Sequence, residues 1–207
     1  LGPAASESLA KTFGSLDRIM EATEEELSNI DGVGGVIAQS IATWFKQKPN
    51  KAIEIAKRLG MTAVIVPFLN PGDRPADAKG WTSFADRLSE AGKPILDAGL
   101  TFGWHNHDFE FNTLEGDEKP LDLILQSENG VSLELDLAWV AVGGESPAEW
   151  VKKYASKLVS VHIKDIAPKG ECVSEDGWAD VGYGTMNWFE IIDLIMMILK
   201  KEQYMIK

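Results

Sequence analysis

Two hydrophobic periodicities divide the chain. Through roughly the first fifty residues, apolar positions recur at helical spacing in short pieces, over 6–12, 16–21 and 24–29, and again after the glycines of "LSNIDGVGGVIAQSIATWF". Thr23-Glu24-Glu25-Glu26 has the form of a capping box, with Thr23 as N-cap and Glu26 reaching back. From residue 51 onward helical and strand patterns alternate. Helix 51–59 precedes strand 62–67, and helix 83–98 precedes strand 101–105. Helix 121–126, strand 132–136, helix 148–155, strand 158–162, helix 187–200 and a last apolar run 204–206 follow. Gly60 and Gly99 sit where helix C-caps are expected, each just before a strand. Strands spaced by helices of this length predict right-handed βαβ units and a parallel sheet of about five strands.

A closed eight-stranded barrel takes about 250 residues, more than the segment 51–207 supplies. The expected fold is therefore α/β: a partial barrel of about five βα units over 51–207, preceded by a small all-α segment over 1–50. Gln47-Lys48-Pro49-Asn50 reads as a turn-forming joint between them.

Composition narrows the classes. Hydrophobic residues make up 44% and charged residues 25%, enough for a real core. A net charge of −12 argues against general affinity for nucleic acid or anionic membrane. The single cysteine, Cys172, excludes an internal disulfide and fits a reducing compartment. No stretch reaches the ~20 apolar residues of a membrane span, and no basic segment leads into an apolar run at the start, so the expectation is a cytoplasmic protein with no membrane partner.

In the first segment, Leu27 and Ile30 lie on one helix, Gly32-Val33-Gly34 turns, and Ala38 and Ile41 face inward on the next. Glycines at such a turn leave amides free at a helix N-terminus, a geometry able to hold a phosphate oxygen. The stretch "ESLAKTFGSLDRIMEATEEELSNIDGVGGVIAQSIATWF" resembles the helix-hairpin-helix region of bacterial NAD-dependent DNA ligases. The resemblance implies sequence-independent contact with the DNA backbone through the amides near Gly32, Gly34 and Gly35. It does not imply ligation, because the nucleotidyl-transfer lysine motif is absent. Charge opposes strong binding. Lys11, Arg18, Lys46 and Lys48 face Glu7, Asp17, Glu21, Glu24, Glu25, Glu26 and Asp31, and the hairpin from Asp31 to Ser40 has no cation. Weak DNA contact, or a purely structural role, is the expectation.

The chemistry concentrates in the second segment. All three histidines fall at strand ends: His105 and His107 in "FGWHNHDFEF", His162 in "LVSVHIKD". "VSLELDLAWV" puts Asp136 at the matching place between them. Carboxylates and imidazoles from adjacent strand ends form a divalent metal site, and their convergence favours that reading over the alternative, in which alternating Glu134 and Asp136 are the polar face of one strand.

"IAKRLGMTAVIVP", "GLTFGWHNHDFEF", "VSLELDLAWV", "VSVHIKD" and "VGYGTMNW" resemble the sugar phosphate isomerase/epimerase family of xylose isomerase-like TIM barrels, in the same order and spacing. The resemblance implies a divalent metal (manganese, magnesium or zinc), a small carbohydrate as ligand, and proton transfer at a carbon next to a carbonyl. Carried over residue by residue, it implies Asp136 and His162 as metal ligands, with Glu110 as the carboxylate from the preceding strand or His107 in its place. It gives His105, His107 and Lys164 contacts to the sugar or a part in proton transfer, and Trp104 and Trp139 the apolar walls. Gly182-Tyr183-Gly184 is either an amide cradle for a phosphate or hydroxyl, or a plain turn.

The family has three further βα units before "MTAVIVP", where the ligase-like helices stand here, and a metal-binding glutamate after a strand like "YMIK", where the sequence ends at Lys207. The expectations that follow are a chimera, engineered, recombined or selected, and a three-ligand site with impaired turnover. An opened barrel also has two free sheet edges, which a second copy of the chain would pair in a homodimer.

Overall fold

The structure, a computed structural model, describes residues 3–46, 48–126 and 130–205. The chain divides into two compact units, Leu1–Thr62 and Ala63–Lys207.

The first unit is helical: α1 (Pro3–Phe13), α2 (Leu16–Glu21), α3 (Glu24–Ser28), α4 (Gly35–Lys46) and α5 (Lys48–Arg58). The capping box forms as the sequence predicts. The Thr23 amide donates to Glu26 Oε2 at 2.8 Å, and the Glu26 amide donates to Thr23 Oγ1 at 3.2 Å. Gly32 turns the chain between α3 and α4 at φ 81°, a left-handed value that costs glycine nothing. Leu9, Leu27, Val33, Ala38 and Ile41 form the buried core of this unit. The expected open joint is largely helix: Lys48, Pro49 and Asn50 make the first turn of α5, while Gln47 lies outside the described residues. A first helical turn tolerates proline, because its amide has no partner inside the helix.

In the second unit, β1 (Ala63–Val66), α6 (Ala78–Asp97), β2 (Thr101–His105), α7 (Pro120–Gln126), β3 (Val131–Asp136), α8 (Leu137–Val142), α9 (Pro147–Lys153), β4 (Leu158–His162), β5 (Asp165–Ile166), β6 (Trp178–Ala179) and α10 (Trp188–Met205) follow in order. β1 to β4 form one sheet in sequence order, each neighbouring pair parallel. β5 and β6 make a small antiparallel hairpin.

The parallel sheet has four strands among the described residues, not five. The run expected as a fifth strand continues α10 through Tyr204 and Met205, and Ile206 lies outside the described residues. Lys200, Lys201, Glu202 and Gln203 are good helix formers with no glycine or proline among them to stop the helix.

Strand alternation then sorts the side chains. Phe102, Trp104, Leu133 and Leu135 join the buried core with Leu121, Ile124, Trp150 and Val151. His105, Glu134, Asp136, Ser160 and His162 alternate with those core residues and so point to the opposite face. Among the described residues, no helix is long and apolar enough to cross a membrane.

Candidate metal centre

Strand pairing brings the polar residues together. His105 pairs across the ladder with Glu134, Glu134 with Ser160, and Asp136 with His162. The last two pairings depend on an irregularity between Leu133 and Glu134, where the β4 register skips Val159. Continued without that extra residue, the register from Leu133 and Leu158 would set Asp136 beside Val161. The bulge delivers His162 to the carboxylate instead.

His105, Asp136 and His162 each offer one ligand atom, all within 4.8 Å of one another. Asp136 divides its labour. Its Oδ1 accepts the Trp139 amide at 2.9 Å and so caps α8. Its Oδ2 faces Lys164 Nζ at 3.2 Å, His162 Nδ1 at 3.7 Å and His105 Nε2 at 3.9 Å. The Asn106 side chain ties β2 to β3: its Nδ2 donates to the Asp136 carbonyl at 3.2 Å, and its Oδ1 accepts the Asp136 amide at 2.9 Å. Burial, first of all, holds the His105 and His107 pKa values below the ordinary imidazole range, with neighbouring imidazole charge adding to the effect. Neutral imidazoles are the form that binds metal. Moreover, Nδ1 of His105 and Nδ1 of His107 are buried without a hydrogen bond, a cost that a bound ligand would relieve. The donor chemistry of His105, Asp136 and His162 fits a divalent cation.

His107 stands beside this group in an aromatic wall, 5.1 Å from the His105 ring, 5.4 Å from Trp139 and stacked on Phe109 at 6.0 Å. Lys164 Nζ sits over the rings of Trp139 at 4.5 Å and Trp178 at 3.9 Å. Trp139 and Trp178 also line a cleft of about 260 Å³ with Val142 and Ile166.

Two expected site residues are elsewhere. Glu110 is fully buried in the short turn Phe109–Phe111, accepting from the Trp104 indole at 3.0 Å and from the His107 amide at 2.9 Å. It does not join the ligand group. Desolvation raises its pKa to about 7, against the pull of those two hydrogen bonds. Trp104 is wholly buried in the core and offers no wall to a ligand, because it sits one residue out of phase with His105 on β2.

The cradle at Gly182-Tyr183-Gly184 is closed as well. The amides of Gly182 and Gly184 donate to Asp165 Oδ2 at 3.0 and 3.1 Å, and that of Tyr183 to the Asp180 carbonyl at 2.9 Å. With its amides spent internally, the loop is the plain turn. Gly32, Gly34 and Gly35 are exposed, with Gly35 opening α4.

Several residues of consequence had no distinct sequence signal. Glu134 reads as an ordinary polar strand position, and Asn106 is masked by the histidines on either side. Asp165 follows Lys164 with nothing to mark it as the acceptor around which the loop folds.

Comparison with known proteins finds different matches toward the two ends of the chain. A helix-hairpin-helix motif profile matches residues 1–53. Within the curated proteins, a DNA ligase of Clavibacter sepedonicus is 40% identical over 80 residues, covering 39% of this chain and 9% of the ligase. Among solved structures, a sugar phosphate isomerase/epimerase from Parabacteroides distasonis ATCC 8503 superposes with TM-score 0.58 at 25% identity, over 72% of this chain and 50% of that one. The zinc-bound IOLI protein superposes with TM-score 0.55 at 21% identity, over 77% of this chain and 57% of that one. The chain thus spans about a tenth of the ligase and half of the isomerase/epimerase. A xylose isomerase-like TIM barrel profile matches residues 38–198, and the chain belongs to that family, carrying a partial form of its barrel.

Proposed function

We propose that the second unit binds a divalent cation through His105, Asp136 and His162 and uses it in proton transfer next to the carbonyl of a small carbohydrate. The observation that carries this is the convergence of those three side chains from successive parallel strand ends on one sheet face. Similarity to a sugar phosphate isomerase/epimerase supports the substrate class, and the zinc in the IOLI protein supports a metal on this fold. Manganese, magnesium and zinc all suit a mixed imidazole and carboxylate set. When bound, such an ion supplies Lewis-acid polarisation of substrate oxygens.

The chain's own groups supply the rest. Half-buried and neutral, His107 has a buried, unpartnered Nδ1 and is the proton acceptor of choice. The Lys164 ammonium, held beside Asp136, steadies negative charge on a substrate oxygen. Trp139 gives an apolar face against which a sugar ring packs.

Calorimetric titration of the full chain with Mn²⁺, Mg²⁺ and Zn²⁺ tests the reading. Binding near one ion per chain is expected, lost in Asp136→Ala and in His162→Ala. Undiminished binding in both variants would refute the site. Turnover is assayed separately, since three protein donors suffice to hold a metal.

The profile matches overlap only over residues 38–53, which supports a chain joined from two unrelated ancestries near that point. A second reading concerns the first unit. Its exposed glycine turn at the start of α4 favours weak contact with a DNA backbone. Binding to duplex DNA that fades steeply between about 50 and 200 mM salt, and fails in Gly34→Asp, would support it. No binding at low salt would end it.

A further inference from the structure

Glu134 stands in the same cluster as the proposed ligands and is not one of the three. Its two oxygens have different tasks. Oε2 accepts the Ser160 hydroxyl at 2.7 Å, which fixes the carboxylate from the neighbouring strand. Oε1 lies 3.3 Å from His105 Nδ1 and 3.1 Å from His162 Nε2. On each ring, the other nitrogen faces Asp136: Nε2 of His105 and Nδ1 of His162. The two imidazoles, their ring centres 4.5 Å apart, therefore stand between two carboxylates that project from one strand two residues apart.

We propose that Glu134 is the positioning residue that fixes the tautomer and ring orientation of both histidines, leaving the nitrogens that face Asp136 free to bind the cation. A carboxylate acceptor behind a ligating imidazole sets which nitrogen carries the proton and raises the basicity of the other. Here one carboxylate serves both rings, and the bulge that puts Ser160 and His162 in register with β3 makes the sharing feasible. The approach of Glu134 to His105 is close but unaligned, and the His105 Nδ1 has no hydrogen bond. Turning the ring into line completes the bond, as such contacts tighten on ligand binding. The proposal rests on the metal reading only for its second test.

The first test needs no metal. The chain has three histidines, so nitrogen-15 histidine labelling of the full protein gives three ring spin systems. Expected are the Nδ1–H tautomer for His105 and the Nε2–H tautomer for His162, both shifted in Glu134→Gln, with the tautomer of His107 unchanged as an internal control. Ser160→Ala, a milder change, should move the same two rings less. Identical tautomer populations in the wild type and Glu134→Gln would overturn the proposal.

The second test titrates Mn²⁺ and Co²⁺ alone. Glu134→Gln should bind about 10- to 100-fold more weakly, while bound Co²⁺ keeps the absorption bands of the wild type because the ligand set is unchanged. Altered bands or complete loss of binding would make Glu134 a direct ligand and overturn its positioning role. A wild type that binds neither ion would instead refute the metal reading, and the tautomer measurement would still decide the role of Glu134.

Discussion

Two buried aspartates, Asp136 beside the Lys164 ammonium and Asp165 next after Lys164 in the chain, differ in who satisfies their oxygens. Asp165 accepts from the amides of Ile166, Gly182, Gly184 and Met186 and from the Trp188 indole. Its burial would raise the pKa, yet hydrogen bonds from Met186, Ile166, Gly182 and Trp188 outweigh that and leave it lowered. Asp136 spends one oxygen on the α8 cap and leaves the other among a lysine and two imidazoles. Counting donors thus separates an aspartate that holds a loop together from one ready for an ion. Proximity to the site does not separate them.

The largest effect should come from breaking Asp165. Asp165→Ala removes the shared acceptor of five donors, the Trp188 indole buried and the four amides part-buried, and thermal or denaturant unfolding should show a loss of about 4 kcal/mol. Gly184→Ala should act in the same direction, because a Cβ there would lie 2.3 Å from Asp165 Oδ1 and 2.4 Å from the Ile166 carbonyl oxygen. The sign with pH follows from the lowered native pKa: the stabilisation is complete above the unfolded value near ~3.9 and disappears as pH falls through the native one. A wild-type stability in Asp165→Ala would discredit donor counting as a criterion.

Asp136 should behave in the opposite way. Asparagine caps a helix as well as aspartate does, so Asp136→Asn should change stability by less than about 1 kcal/mol. Metal binding by calorimetry should nonetheless fall below detection, a loss beyond the ~10- to 100-fold of an outer residue. An equal fall in stability for the two aspartates would erase the distinction between them.

How much of this could be read beforehand depends on the length of each signal. β2 and β4 fall where the pattern sets them, at Thr101–His105 and Leu158–His162, because each has several alternating residues bounded by turns. α8 gave no warning: "LAWVAV" is apolar throughout, so its period is invisible, and the helix exists because Asp136 caps it. The hairpin strands β5 and β6 have two residues each, too few to show alternation. The placement of Asp136 and His162 side by side at neighbouring strand ends was legible from the strand pattern alone. Trp104 could have been excluded by the same alternation, since neighbours on a strand face opposite ways. Glu110 could not, because past His105 the chain leaves the strand for a short turn that no periodicity describes. Glu134 needed the β4 bulge, which is a property of pairing between strands.

Glu110 extends the comparison to a third buried carboxylate, one with two donors, the Trp104 indole and the His107 amide. Two donors do not offset its burial, which raises the pKa to about 7. Between the unfolded value and about 7, the native state binds the extra proton. Stability should therefore fall as pH rises through that window and level off above it. The shift from 4.5 to about 7 corresponds to on the order of 3 kcal/mol. Glu110→Gln should flatten this slope in chemical denaturation run at pH 5, 6, 7 and 8, whatever it does to absolute stability. An unchanged slope would mean the carboxyl is ionised throughout and that its two donors suffice.

The smallest effect concerns the cation already beside Asp136. Lys164 Nζ lies 3.2 Å from the oxygen that a metal would use, and the rings of Trp139 and Trp178 hold it there. An ammonium in that place repels an incoming ion and competes for the same lone pairs. Since Lys164 is 31% exposed, solvent screens much of the interaction. Lys164→Met keeps the packing on both indoles and removes the charge, so Mn²⁺ should bind about 2- to 5-fold more tightly. Weaker binding in Lys164→Met would show that the lysine orders Asp136 for the metal, and the free oxygen of Asp136 would then owe its readiness to that contact.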